Sequence, residues 1–123
     1  MIRAHRNGEI GRLGEKFAAR YLKKNGYRIV ARNVHCGKNE LDLIVKNRRV
    51  IAFVEVKTRT NLQYGLPRDY VTATKQEKLR KTAAFYLMEK ELDCPVRFDV
   101  AEVYSDGMHS PESIRIEYLE NAF

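Results

Sequence analysis

The chain has 123 residues, with 23 Lys or Arg against 16 Asp or Glu for a net charge of +7, and 44% hydrophobic residues. That is enough for one domain over residues 1–123 with a single core, and it leaves no second domain to add specificity. The apolar runs are strand length, short of the ~20 residues a membrane helix needs, and the opening MIRAHRNGEI lacks the apolar centre of a signal peptide, so a cytoplasmic chain with no membrane partner is expected. Cys36 and Cys94 lie far apart and outside any C-x-x-C spacing, which argues for neither a disulfide nor a zinc site.

The charge is unevenly spread. Residues 1–59 carry fifteen Lys or Arg against five acids, residues 60–90 six against three, and residues 91–123 two against eight. A positive surface of this size suits a polyanion and makes nucleic acid the expected partner class, although solvated basic faces are common and charge alone leaves the matter even. Asn7 is the expected N-cap of a first helix, because Ile10, Leu13, Phe17, Ala18, Tyr21 and Leu22 recur every three or four residues and Asn25–Gly26 ends the pattern. Gly11 and Gly14 are costly inside a helix, which implies close approach by another backbone or by a phosphate. Arg20, Lys23 and Lys24 form a basic face able to track a phosphate backbone, with Arg12 nearer the start.

Residues 27–34 alternate as a first strand and lead through 35–38 into a hairpin over 39–59, NELDLIVKNRRVIAFVEVKTR. His35 beside Cys36 has no further ligands at metal spacing, and His5 and His109 read as surface residues. On the strand over 50–58, Val50, Ala52, Val54 and Val56 share one face and Ile51, Phe53, Glu55 and Lys57 the other. Both faces are mostly apolar, as in a strand covered on both sides, where an unpaired charge is strongly disfavoured. Glu55 and Lys57 break that pattern together, and Glu40 and Asp42 break it on the strand over 40–46.

Turn length decides whether these acids meet. A two-residue turn at Asn47–Arg48 puts Asp42 diagonal to Glu55 on one face, a four-residue turn puts it directly opposite, and a three-residue turn sends the acids to opposite faces. The even lengths keep the other face apolar and are preferred. Two carboxylates brought together repel, and a hard divalent cation, Mg²⁺ or Mn²⁺, relieves the repulsion by bridging them. Lys57 beside a phosphate and a metal-bound water would hold the water or stabilise charge developing on phosphorus. The alternative is a half-buried ion pair of Lys57 with Glu55 or Asp42.

Residues 60–71 form a long connection containing Gly65 and Pro67, suited to packing a partner subunit, as in a homodimer, to lining a substrate groove, or equally to folding back on the chain's own core. Thr74 with Glu77 makes the capping box of a second helix to about Lys90, with Leu79, Ala83, Tyr86 and Leu87 inward and Lys75 and Gln76 in the first turn. Residues 96–104 read as a strand, Asp106–Gly107 as a turn and residues 114–118 as an edge strand. Asp99 is expected to pair with Arg97 or a sheet-end amide rather than with a metal. The element order is α-β-β-β-α-β with an extra edge strand.

Asp42, Glu55 and Lys57 resemble the acid and the acid-x-Lys of the PD-(D/E)xK nuclease superfamily. GRLGEKFAARYL, NELDLIV, FVEVKTR, KQEKL and RFDV, spread from Gly11 to Val100, are similar to the small bacterial YraN-like family. That resemblance implies a restriction-endonuclease-like α/β fold with a mixed central sheet flanked by helices, related in pattern to archaeal Holliday junction resolvases. It also implies Asp42 and Glu55 as metal ligands and Lys57 as the residue that positions water. Glu15, in the family's G-x-x-G-E pattern, becomes a fourth member of the site, its alternative being a surface ion pair with Arg12, Lys16 or Arg20. Gln76, at the start of the second helix, would help orient the water or a phosphate, with plain solvent exposure as its alternative. Where the family usually has Gly, this chain has Asn39, which enters the left-handed region less freely. The expected activity is a Mg²⁺-dependent endonuclease acting on DNA, including branched DNA, with Arg12, Arg20, Lys23, Lys24, Arg59 and Lys75 binding nucleic acid. Two other readings compete: a noncatalytic nucleic-acid-binding module on the same fold, and a small basic protein of a ribonucleoprotein particle. Clustered acids beside phosphates argue against the first; in the second the acids merely form ion pairs.

Overall fold

The computed structural model describes residues 2–59, 71–104 and 114–123, and only the backbone at 2–12 and at Cys36. The side chains of His5 and Arg12, residues 60–70, the Asp106–Gly107 turn and His109 lie outside the described residues.

Helix α1 spans Ile2–Lys24. It starts ahead of Asn7, so Asn7 lies inside it and does not cap it; the apolar repeat reports where the helix packs, and the backbone ladder runs further back. Its other end is as expected. Gly26 sits at φ +89, Tyr27 N–H donates to Leu22 O at 3.0 Å and Gly26 N–H to Lys23 O at 3.3 Å, a Schellman ending that only a residue free to turn left-handed makes cheaply.

Strands β1 (Arg28–Cys36), β2 (Asn39–Lys46) and β3 (Ile51–Arg59) follow, then helix α2 (Ala73–Glu89) and strands β4 (Val96–Tyr104) and β5 (Arg115–Leu119). The sheet order is β1-β2-β3-β4-β5. Neighbours are antiparallel except β3 and β4, which run parallel on either side of the α2 crossover. This is the expected α-β-β-β-α-β order around a mixed sheet, with one extra edge strand.

The two hairpin turns set the register. Cys36 pairs with Asn39 across Gly37–Lys38, and the left-handed backbone falls on Gly37 at φ +62, so Asn39 opens β2 without adopting it. Lys46 pairs with Ile51, leaving the four-residue turn Asn47–Val50, the longer of the two even registers. Asn47 determines it: its Oδ1 accepts from Arg49 N–H at 2.8 Å and Val50 N–H at 3.0 Å, and its own N–H donates to Val50 O.

Both sheet faces are covered. Ala18, Ala19 and Leu22 of α1 pack on Leu43, Val45, Ala52, Val54, Ala101 and Val103, while Leu79 and Ala83 of α2 pack on Leu41, Ile44, Ile51, Phe53 and Val100. This explains the unbroken apolar run of β3. Helix α1 reaches the sheet at Gly14, where a Cβ would lie 2.0 Å from Thr58 Oγ1, so the close approach expected of this glycine is to a strand side chain. At the far side Asp99, fully buried, accepts from the Arg97 guanidinium, the Tyr118 hydroxyl and Asn121 N–H, tying β4, β5 and the C-terminal turn together. Among the described residues no helix is long and apolar enough to cross a membrane.

One correction bears on function. Helix α2 is capped by Thr72, not Thr74: Thr72 has extended backbone and its Oγ1 accepts from Lys75 N–H at 3.2 Å. Either threonine of VTAT has the chemistry of a cap, and the local sequence does not choose between them.

Candidate metal and phosphate site

The β2–β3 pairing runs from Lys46↔Ile51 to Leu43↔Val54 and stops just short of Asp42 and Glu55. There the regular ladder gives way to a side chain: Val56 N–H donates to Asp42 Oδ2 at 2.8 Å. Leu41 packs with Ile44 on the α2 side while Leu43 packs on the α1 side, so strict alternation fails around Asp42. On β1 the residue level with Asp42 is Asn33, between the pairs Arg32↔Leu43 and Val34↔Leu41, and it has φ +50. Asn tolerates that region better than other non-glycine residues. With its amide turned so that the NH₂ faces the acids, Asn33 donates to Glu15 Oε1 at 3.1 Å and to Glu40 Oε1 at 3.0 Å. Two local irregularities at one level of the sheet thus gather carboxylates from α1, β2 and β3.

Glu15, Glu40 and Asp42 each offer an oxygen within 4.8 Å of the other two. Glu55 lies beside this triad without belonging to it. Its side chain is 7% exposed; Oε1 accepts from Lys75 Nζ at 2.9 Å, with Lys57 Nζ 3.8 Å away. Its Oε2 is buried and has no hydrogen-bond partner among the described residues. Hard carboxylate oxygens in this number, one of them buried and unsatisfied, fit Mg²⁺ or Mn²⁺.

The electrostatics fit the same ion. Burial, then the charge of Glu55, pushes the Asp42 carboxyl up to about 7, against the Val56 N–H bond that lowers it. Burial and Glu40 raise Glu15. Lys57 is lowered by burial and by the adjacent Lys75 ammonium. Lys75 is itself disfavoured by burial, yet its bond to Glu55 raises it overall.

Two openings flank the acids. A cleft of about 450 Å³ is lined by Lys38, Glu40, Asp42, Glu55, Thr72, Lys75 and Lys78. A groove of about 530 Å³ on the α1 side is lined by Glu15, Lys16, Arg20, Lys23, Arg32 and Asn33. Of the residues expected to bind phosphate, Arg20 and Lys23 therefore stand beside the acids, while Lys24 lines a separate groove with Ile114 and Ile116. Arg59 is engaged otherwise, its Nε donating to the buried Glu102 at 2.7 Å. Lys75 points at Glu55. The Gln76 side chain donates to Val71 O at 2.9 Å, back along the helix start. Sequence reasoning missed Glu40 and Arg32 as site residues, and Asn33 entirely. It also missed Glu102, although an acid inside VAEVY shows the same anomaly that marked Glu55.

Comparison with known proteins agrees with the resemblance to the small bacterial YraN-like family. Residues 14–103 match the profile of a family described as "Uncharacterised protein family UPF0102". Similar relatives include UPF0102 proteins of Caldicellulosiruptor saccharolyticus, 42% identical over 116 residues covering 94% of this chain and 97% of that one, and of Clostridium acetobutylicum, 45% identical over 118 residues covering 95% of each. A third, from Pelotomaculum thermopropionicum, is 45% identical over 115 residues, covering 93% of this chain and 94% of the relative. Among solved structures, that of Pyrococcus furiosus SfsA in complex with Ca²⁺ gives a TM-score of 0.42 at 18% identity, over 89% of this chain and 63% of that one, so the chain spans under two-thirds of that protein.

Proposed function

The chain belongs to the UPF0102 family, and on that premise we propose that it is a divalent-metal-dependent nuclease of the PD-(D/E)xK type, hydrolysing phosphodiester bonds in DNA. The observation that carries this reading is the convergence of Asp42, Glu55, Lys57 and Glu15 at one end of the sheet, between two openings lined with Lys and Arg. Asp42, Glu55 and Glu15, joined by Glu40, would hold Mg²⁺ or Mn²⁺. When bound, such an ion supplies a Lewis acid for the phosphoryl oxygen and lowers the pKa of an attacking water. The protein's own contribution is placement. Asn33 orients Glu15 and Glu40; Lys57, whose proton burial loosens, is placed to hold the water or to meet charge developing on phosphorus. Arg20, Lys23 and Arg32 on one side, with Lys38 and Lys78 on the other, neutralise the phosphates of a strand passing over the acids.

The test is a cleavage screen over branched, flapped, single-stranded and duplex DNA. The protein should cut at least one of these with Mg²⁺ or Mn²⁺ and none in EDTA, and Asp42→Asn or Glu55→Gln should each lower the rate by roughly 100-fold or more. Salt-dependent binding with no cleavage of any substrate under either metal would identify a noncatalytic binder instead.

A further inference from the structure

Glu55 sits where a ligand of the bound ion is wanted, yet one of its oxygens is taken and the other is unsatisfied. Two ammonium groups attend the same oxygen, Lys75 at 2.9 Å and Lys57 at 3.8 Å. Lys57 belongs to the same strand and face as Glu55, and its side chain is 20% exposed. Lys75 comes from another element and is 40% exposed in an open cleft. Its backbone is pinned, because Thr72 Oγ1 accepts its N–H, while the side chain beyond has room to swing. A cation in the first turn of a helix is also poorly placed relative to the helix dipole, and α2 carries no acid there to compensate. Glu55 is the partner that makes this position tolerable.

We propose that Lys75 is a built-in competitor of the divalent cation: its ammonium occupies Glu55 while the site holds no metal, and metal binding displaces it into the cleft, where it is free to meet a substrate phosphate. This rests on the acids binding a divalent cation, as the nuclease reading requires. A bound divalent ion and an ammonium cannot both sit against one carboxylate without strong repulsion, and Lys75 is the one of the two lysines able to leave. Its release also favours an anion at the start of α2, where free N–H groups and the dipole attract phosphate. The unpaired Oε2 of Glu55 fits a carboxylate held for a second partner.

The test is Mn²⁺ binding by calorimetry at fixed pH and ionic strength. Lys75→Met should bind Mn²⁺ about tenfold more tightly than the parent, a coupling of ordinary size. Lys78→Met, which removes a charge from the same cleft but not from Glu55, should change affinity far less. In a Glu55→Gln background the Lys75→Met effect should largely vanish, because the carboxylate they compete for is gone. ¹³C signals of reductively methylated lysines should show one ammonium shifting with the same half-saturation as Mg²⁺ binding, and that signal should be missing from Lys75→Met. If the parent binds Mn²⁺ and Lys75→Met matches Lys78→Met, or keeps its effect without Glu55, the competition is refuted and the nuclease reading stands. If neither the parent nor Lys75→Met binds Mn²⁺, both fall.

Discussion

Asp42 in the folded chain holds its proton up to about pH 7, chiefly because of burial and then Glu55, whereas an ordinary Asp in an unfolded chain titrates at about 3.9. A carboxyl whose folded pKa is raised contributes stability that is fully present at acid pH and is lost as pH rises from about 4 to about 7. Asn does not ionise, and its Oδ1 can still accept from Val56 N–H. In metal-free buffer Asp42→Asn should therefore gain on the parent steadily from pH 4 to 7 and hold a constant advantage above that, read by thermal unfolding at a series of pH values. A destabilised Asn variant at pH 7 would make Asp42 a structural ion-pair partner. Asp42, Glu55 and Lys57 were legible because charge inside an apolar strand is costly and demands a reason. Asp99 was legible for the same cause, and both expected kinds of partner, Arg97 and a sheet-end amide, are found on it. Asn33 was not, since nothing local in ARNVH announces a left-handed residue in mid-strand.

At the level of elements, the order, the faces and the even register followed from periodicity, while the start of α1 and the cap of α2 did not. Both misses concern ends, where apolar periodicity carries no signal, and at α2 the deciding interaction is the Lys75 N–H bond to Thr72 Oγ1. The two-residue shift from Thr74 to Thr72 mattered most, because it settles that Lys75 is the third residue of α2, its N–H held by the cap while its side chain meets Glu55. The seating of α1 on β3 is testable by the sign of one substitution. Gly→Ala inside a free helix gains roughly 1 kcal/mol. At Gly14 the new methyl would meet Thr58 Oγ1 at 2.0 Å, so overpacking should win and Gly14→Ala should lose about 1–2 kcal/mol in denaturant unfolding. Adding Thr58→Ala removes the hydroxyl and should recover part of that loss. A Gly14→Ala protein more stable than the parent would show that α1 is not seated this way, and would unseat Glu15 from the site with it.

Across the whole molecule charge runs from one sheet edge to the other. The basic N-terminal half supplies α1 and β1 to β3, and the acidic C-terminal part supplies β4 and β5, with Glu117 on β5 and Glu120 in the turn after it facing solvent at the far edge. On the proposed reading a polyanion would be drawn to the α1–β1 side and repelled from β5, its phosphates meeting Glu15 and Asp42 first. On the nuclease reading these acids are served by a phosphate-binding surface. Its most direct measurement is the salt dependence of DNA affinity in EDTA for Asp42→Asn, alone and with Arg20, Lys23 and Arg32 all changed to Gln. Asp42→Asn alone should bind with a steep fall of affinity as salt rises, and the triple change should flatten the slope by roughly 0.9 for each duplex phosphate no longer neutralised, weakening every sequence alike, while Lys24→Gln does little. No salt-dependent binding to DNA by the protein with Arg20, Lys23 and Arg32 intact, or an unchanged slope in the triple variant, would contradict it.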